Sequence, residues 1–397
     1  MNKPLNILQI SPRLPWPPED GGSIGIYNIT RFVARRGHRV TFVCFGNPSA
    51  DHGDMEEICD LHVVAHDNGN RPLDMLRNLF SSLPYTVSKY RSAAMTAQLR
   101  TLCSDHHFDI VHVDHAHLAW YGELLQREFG LPWVLREHNY ESRIHERFAA
   151  QHRLPLFSGY LRMQARRWDA YERAALQHPD CIAAITPEDA DVIRSATRRP
   201  VRVLPAGVDT DTLMPFDPAA AEEAHVLLLG SLNWLPNRDA AQWFVDEIWP
   251  AVRERVPQAH CTIAGSHPSA SLRARASDHL AVPGYVRDLP ALLERATVVA
   301  VPLRVGGGMR IKLLEFFARG KAVVSTRIGA EGNSAEHDTH ILHADTPENF
   351  ADAIARIIAD ESLRRSLGAA ARELVERDYS WTSVAAAFET IYRDLQR

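Results

Sequence analysis

Lysine is nearly missing from this 397-residue chain. Of 44 basic residues, 4 are lysine (Lys3, Lys89, Lys312, Lys321) and the rest are arginine, so each retained lysine draws attention. An excess of positive charge is missing as well. The formal net charge is −5 and neither half of the chain is basic, which argues against a general nucleic-acid binder. Cysteine is scarce and scattered (Cys44, Cys59, Cys103, Cys181, Cys261), odd in number and without a Cys-x-x-Cys pair. Neither a disulfide framework nor a cysteine zinc site is expected, and a reducing cytosol is the expected setting. No window of about 18 residues is uninterruptedly apolar, so no transmembrane helix is expected. The apolar run near the N-terminus is broken by Gln9, Ser11 and prolines, and it reads as a first β-strand and not as a secretory segment. Hydrophobic residues make up 45% and charged residues 23%, an ordinary globular composition that excludes general disorder. The length favours two domains of roughly 200 residues each.

Short apolar runs alternate with longer amphipathic ones. Leu5–Ile10, Arg39–Phe45, Ile110–Val113, Trp133–Leu135, Cys181–Ile185 and Val201–Leu204 read as strands, and Ser23–Arg36 has helical spacing. Apolar runs buried on both faces and separated by helices mark a parallel α/β sheet. Thr186-Pro187-Glu188-Asp189 has the form of a capped helix start. Residues 206–224, rich in proline and without a strand, read as a linker between a first domain (1–205) and a second (225–380). In the second series, His225–Gly230, His260–Ala264, Val298–Pro302 and Ala322–Thr326 are expected strands, and Asp239–Trp249 is an expected helix. Helices are also expected over Glu348–Ala359, Leu363–Glu376 and Ser383–Leu395. The final segment, 381–397, is a candidate to pack back on the first domain. Two doubly wound domains would face each other across a cleft, with the strand C-terminal ends turned toward it.

The strongest chemical signal is VVAVPLRVGGGMRIKLLEFFARGKAVVSTRIGAEG, residues 298–332. Three glycines, Gly306, Gly307 and Gly308, stand between a strand and a helix. Such a loop lets backbone amides and a helix dipole meet a phosphate. Gly308, Lys312, Glu315 and Arg319 share one helical face. Lys312 could neutralise a diphosphate while Glu315 accepts from ribose hydroxyls. The bland alternative is a surface pair worth a few tenths of a kcal/mol. Gly21 and Gly22 form a second, weaker glycine element before the first helix. His112-Val113-Asp114-His115-Ala116-His117 ends a strand; a metal site there is the least favoured reading, since zinc needs converging ligands. Glu331 either meets donor sugar hydroxyls or caps a helix. Pro72–Ser92 and Tyr160–Arg173 are amphipathic and arginine-bearing, suited to packing or to an anionic acceptor at a membrane surface.

On these residues the chain resembles the GT-B glycosyltransferases of the large retaining family 4. Leu314-Glu315 and Gly308 match part of that family's Glu-x7-Glu motif, whose first glutamate falls on Gly307. GSLNWLPNRD (Gly230 to Asp239) stands where the family has GRLxxxKG, with Ser231 in place of arginine. The resemblance is to a subset with GGGxRxKxLE and GSxNWxPN motifs, which includes sugar transferases of exopolysaccharide and PEP-CTERM systems. The resemblance implies an α/β GT-B fold of two Rossmann-like domains. It implies donor contacts from Gly21, Gly22, Ser231, Asn233, Gly306, Gly307, Gly308, Glu315 and Glu331, and diphosphate charge met by Arg310 and Lys312. It places Asp114 and His115 near the chemistry, and His138 and Asn139, in the run continued by Glu141-Ser142, on the acceptor side. The expected reaction is retaining transfer from a nucleotide-diphosphate sugar, UDP or GDP first, to a saccharide or lipid-linked hydroxyl. No cofactor, metal or nucleic acid is expected. The expected location is cytoplasmic, with peripheral contact at the inner membrane face left open. A nucleotide-sugar 2-epimerase and a non-catalytic sugar-nucleotide-binding scaffold are the competing readings.

Overall fold

The structure is a computed structural model that describes residues 3–66, 69, 71–143, 145, 155–306 and 309–396. Gly307 and Gly308 lie outside the described residues. The chain divides into two compact units, Met1–Ala206 with Val384–Arg397, and Gly207–Ser383.

The first unit is built on seven strands: β1 (Asn6–Ser11), β2 (Arg39–Gly46), β3 (Asp60–Ala65), β4 (Ile110–Asp114), β5 (Trp133–Glu137), β6 (Cys181–Ala184) and β7 (Val201–Val203). They run parallel in the order β3-β2-β1-β4-β5-β6-β7. β1, β4, β5 and β6 are almost wholly buried, as continuous apolar strands must be when helices cover both sheet faces. The second unit has β8 (His225–Leu229), β9 (His260–Ala264), β10 (Leu280–Gly284), β11 (Val298–Val301), β12 (Val323–Ser325) and β13 (Leu342–His343). Their order is β10-β9-β8-β11-β12-β13, again all parallel. Apolar clusters fill this unit, one around Phe244, Trp249, Phe350 and Ile354, another around Leu314, Phe317 and Leu374.

In each sheet the order reverses once, between β1 and β4 and between β8 and β11. At such a point neighbouring crossovers leave in opposite directions and open a crevice beyond the strand C-terminal ends. The candidate site residues follow those ends.

Three strands escaped the sequence reading: β3, β10 and β13. β3 is a half-buried edge strand, β10 carries Pro283, and β13 has two residues, so none presents a continuous apolar run. The helix expected over Asp239–Trp249 starts earlier, at Leu235, and continues through a wider turn at Phe244–Ile248 to Arg255. Residues 207–224 are no loose tether. Val208 N–H donates to Tyr379 O (2.8 Å), Phe216 N–H to Arg319 O (3.1 Å) and Glu222 N–H to Arg295 O (2.8 Å), all within the second unit. The last helix, Trp381–Asp394, gives its residues from Val384 onward to the first unit, where Tyr392 OH meets His112 Nδ1 at 2.5 Å. No described helix is long and apolar enough to cross a membrane.

Candidate functional site

In the second unit the site gathers around Arg310. Strand β11 ends, the chain passes Gly306, and the helix Ile311–Ala318 begins with Arg310 at its N-cap position. Gly306 has φ +144° and its Cα faces the Arg310 guanidinium so closely that a side chain there would collide with it. This is a position only glycine fills without strain. The guanidinium lies over the Trp234 ring at 5.5 Å, a cation–π contact. Burial disfavours its charge, and Glu331 opposes that. Glu331 therefore sits within electrostatic reach of Arg310. Among the described residues no helix begins in its loop, so the capping alternative falls. Gly332 brings this loop against Met309, where a Cβ would stand 2.8 Å from the Met309 Cα.

Along the helix, Leu313, Leu314, Phe316 and Phe317 are buried while Lys312 is exposed and Glu315 half-buried, as the spacing requires. Lys312 and Glu315 are not in ion-pair contact. Burial raises the Glu315 carboxyl above its ordinary value, and Lys312 and Arg319 pull it back down. A half-buried carboxylate with no ion-pair partner among the described residues is suited to accepting hydroxyl hydrogen bonds. Across the switch point, Asn237 Nδ2 donates to Ser231 O (2.9 Å) and Ser231 Oγ pairs with Ser266 Oγ (2.9 Å), which orders the neutral loop that follows β8. Ser231 and Asn233 are exposed there. Sequence reasoning had not singled out Trp234, although the motif GSLNWLPNRD contains it. It also missed Arg304, whose guanidinium grips Asp239 through two bonds (3.0 and 2.6 Å) and ties the β11 loop to the helix Leu235–Trp243.

In the first unit β4 and β5 carry a buried polar network. Asp114 pairs in register with Arg136. The Asp114 carboxylate accepts from Gln9 Nε2 (2.8 Å) and Arg136 Nη1 (3.2 Å), and His138 Nε2 lies 3.5 Å away. Burial would raise the Asp114 carboxyl; His112, His138 and Arg136 outweigh it and hold it well below the usual range. Asp114 is fully buried, so the expectation that it acts on substrate is corrected: its side chain positions others. His115 follows with φ +72°, a strained conformation for a side-chain-bearing residue. Its ring stacks on His138 at 3.7 Å. Burial, then Arg136, lowers His138 to about 4. Asn139 is exposed beside it.

The double glycine opens the first helix, Gly21–Arg35. Gly22 comes near His138, since a Cβ there would lie 4.0 Å from Nδ1. The helix start is already occupied, however. Asp20 caps it, accepting from Gly22 N (2.9 Å) and Ser23 N (3.1 Å), and Arg13 pairs with the same oxygen at 2.5 Å. The anion that the Gly22 and Ser23 amides meet is the chain's own carboxylate.

The histidine run ending β4 does not converge on a metal, because His112 turns to Tyr392. Among the described residues one group has ligand atoms close enough for an ion: Glu222, His225 and His260. The two imidazoles are stacked at 4.6 Å and 13°, so their lone pairs do not meet at one point, and Glu222 is also paired with Arg295 at 3.3 Å. This group lies at the N-terminal ends of β8 and β9, away from Arg310.

Comparison with known proteins agrees with this architecture. Residues 20–212 match the family described as Glycosyltransferase Family 4, and residues 223–360 match Glycosyl transferases group 1. A GDP-mannose-dependent alpha-(1-6)-phosphatidylinositol monomannoside mannosyltransferase of Mycobacterium tuberculosis is 32% identical over 212 residues, 48% of this chain and 55% of the relative. The chain thus spans about half the length of that curated relative. Sucrose-phosphate synthase of Thermosynechococcus elongatus superposes with a TM-score of 0.66 at 20% identity, over 98% of this chain and 99% of that one. HepE of Anabaena in complex with UDP superposes with a TM-score of 0.67 at 13% identity, over 98% and 100%. The two all-parallel α/β units have the GT-B fold of these solved neighbours. Two glycosyltransferase family models match it in succession, one over 20–212 and the other over 223–360.

Proposed function

We propose that the protein transfers a sugar, with retention of anomeric configuration, from a nucleotide-diphosphate sugar to a hydroxyl of a saccharide or lipid-linked acceptor. The second unit binds the donor and the first mostly binds the acceptor. The observation that carries this reading is the grouping of Arg310, Lys312 and Glu315 at the β8/β11 switch point, two cations and a half-buried carboxylate at one helix start. Glu315 accepts from the ribose hydroxyls, and Arg310 and Lys312 face the diphosphate. As the bond from the anomeric carbon to the diphosphate oxygen breaks, charge builds on that oxygen, and fixed cations stabilise it. The acceptor hydroxyl attacks from the same face and its proton passes to the departing diphosphate. No carboxylate nucleophile is required, unlike in a retaining glycosidase. UDP and GDP are the first candidates for the nucleotide, supported by the UDP in the HepE complex and by the GDP-mannose dependence of the mycobacterial relative. Exopolysaccharide or cell-surface glycan synthesis is the setting we favour, with the exposed Leu73, Leu76 and Phe80 offering a peripheral membrane contact. No cofactor takes part.

The test is a thermal-shift panel of UDP, GDP, ADP and CMP, followed by turnover of the matching sugar nucleotide with and without saccharide acceptors. A stabilising nucleotide raises the melting temperature. Acceptor-dependent release of diphosphate nucleotide is expected. Acceptor-independent rearrangement of the donor would mean an epimerase, and binding without turnover would mean a scaffold.

A further inference from the structure

At the opposite end of the second unit's sheet from Arg310 lies a cavity of about 480 Å³. Its walls come from Pro215 and Phe216, from the turns that lead into β11 and β12, and from the helix Glu361–Leu374. Five cations line it, Arg319, Lys321, Arg364, Arg365 and Arg372, against the single carboxylate of Glu373. Two of the five have acidic partners: Arg365 pairs with Glu361 (2.6 Å) and Arg372 with Glu376 (2.5 Å). The other three have none within ion-pair distance among the described residues. Lys321 Nζ donates to the carbonyls of Glu294 (2.6 Å) and Ala296 (3.0 Å), and Arg364 Nη1 to that of Ile357 (3.2 Å). Arg319 and Lys321 both face the Phe216 ring, at 4.5 and 5.2 Å. Carbonyl dipoles and an aromatic face relieve such charges in part, but they do not cancel them. Lys321 is 6% exposed; burial brings its ammonium down to about 8, Glu294 opposes that and Arg364 adds to it. Like charges gathered in a mostly apolar cavity are an arrangement that an anion completes.

We propose that this cavity is a second ligand site, which takes the phosphoryl group of a small organic phosphate between Arg319, Lys321 and Arg364 and rests its apolar or sugar body against Phe216. A dianion matches three cations better than a monoanion does. The volume exceeds what inorganic phosphate alone would fill, which leaves room for the ester's body. The site is distinct from the proposed donor site. Arg310 and Arg319 flank opposite ends of the helix Ile311–Ala318, which is about 12 Å long.

The test is calorimetry and thermal shift on the full chain with phenyl phosphate and with inorganic phosphate. Phenyl phosphate is expected to bind saturably and more tightly than inorganic phosphate. Arg319→Gln and Arg364→Gln, each checked for native circular dichroism, should weaken it about tenfold or more, as loss of a charge-assisted bond does. Lys312→Met should leave it within about threefold, and Arg319→Gln should leave nucleotide binding intact. These two variants avoid the buried Lys321, whose replacement endangers folding. Three results would overturn the proposal: no saturable binding of either probe, binding untouched by both arginine variants, or loss of binding in Lys312→Met. The last would place the probe in the donor site. Equal affinity for the two probes would reject the ester and leave only a phosphate site.

Discussion

His138 stays neutral at neutral pH for a reason that can be read atom by atom. Arg136 Nη1 stands 2.6 Å from His138 Nε2. A guanidinium is a fixed cation, so a charge on the imidazole is opposed there. Burial and Arg136 bring His138 from 6.5 to about 4. A depressed histidine contributes stability that is complete above the unfolded value and is lost as pH falls through the folded one. His138→Gln removes that contribution. The stability gap between wild type and variant should therefore shrink by roughly 3 kcal/mol between pH 7 and pH 4. Urea melts at both pH values check this, and a gap independent of pH would reject the assignment. At the other site the decisive residue is Lys312. If it faces a diphosphate, Lys312→Met should cost ~3 kcal/mol at the transition state, about a hundredfold in turnover. If it only decorates a helix beside Glu315, the change is a few tenths of a kcal/mol in stability with a near-normal rate. Turnover within about threefold of wild type at saturating substrates would leave the surface role standing.

At the scale of elements, legibility followed burial. β8 and β11 were visible because strands covered on both faces are written as nearly unbroken apolar runs, and β1, β4 and β5 because apolar residues dominate theirs despite Gln9, His112 and Arg136. β3, β10 and β13 lie at or next to sheet edges, where one face is open and the run dissolves into Asp60, His62 or Pro283. Helix phase was readable for the same reason: Leu313, Leu314, Phe316 and Phe317 could face only one way. The residues proposed for the donor side could be read together because a short segment holds them. The Asp114–Arg136–His138 network and the Asp20 cap were not, since each depends on which strand or loop lies beside it. Gly122 shows how an element's local preference can be reversed by its neighbour. It lies in the helix Ala119–Phe129, where alanine ordinarily adds about 1 kcal/mol over glycine. Here a Cβ would enter the fully buried Trp133 ring. Gly122→Ala should therefore destabilise by about 1–3 kcal/mol, the cost of overpacking. A denaturation midpoint at or above the wild-type value would show that Trp133 can move aside at no cost.

At the scale of the whole molecule the proposed reaction raises the question of where the positive charge for a departing diphosphate would come from. A net charge of −5 offers no general attraction for a nucleotide, so the charge has to be local. Two local sources are conceivable. One is the chain itself, through Arg310 and Lys312 at a helix start. The other is a divalent ion, which would need oxygen or nitrogen ligands near the same loop. The acidic residues there are Glu315 and Glu331. Glu331 is engaged electrostatically with Arg310, and Glu315 lies within the field of Lys312 and Arg319, whose charges oppose a further cation there. The group Glu222, His225 and His260 stands at the far end of the strands and cannot touch a diphosphate held at Arg310. Turnover is therefore expected to survive EDTA at unchanged kcat, with Lys312→Met and not chelation producing the large loss. Complete loss in EDTA, restored by Mg²⁺ or Mn²⁺, would move the source of charge from the helix to an ion. A loss restored only by Zn²⁺, and abolished by His260→Ala, would instead make the distant histidine pair a metal site that supports the fold.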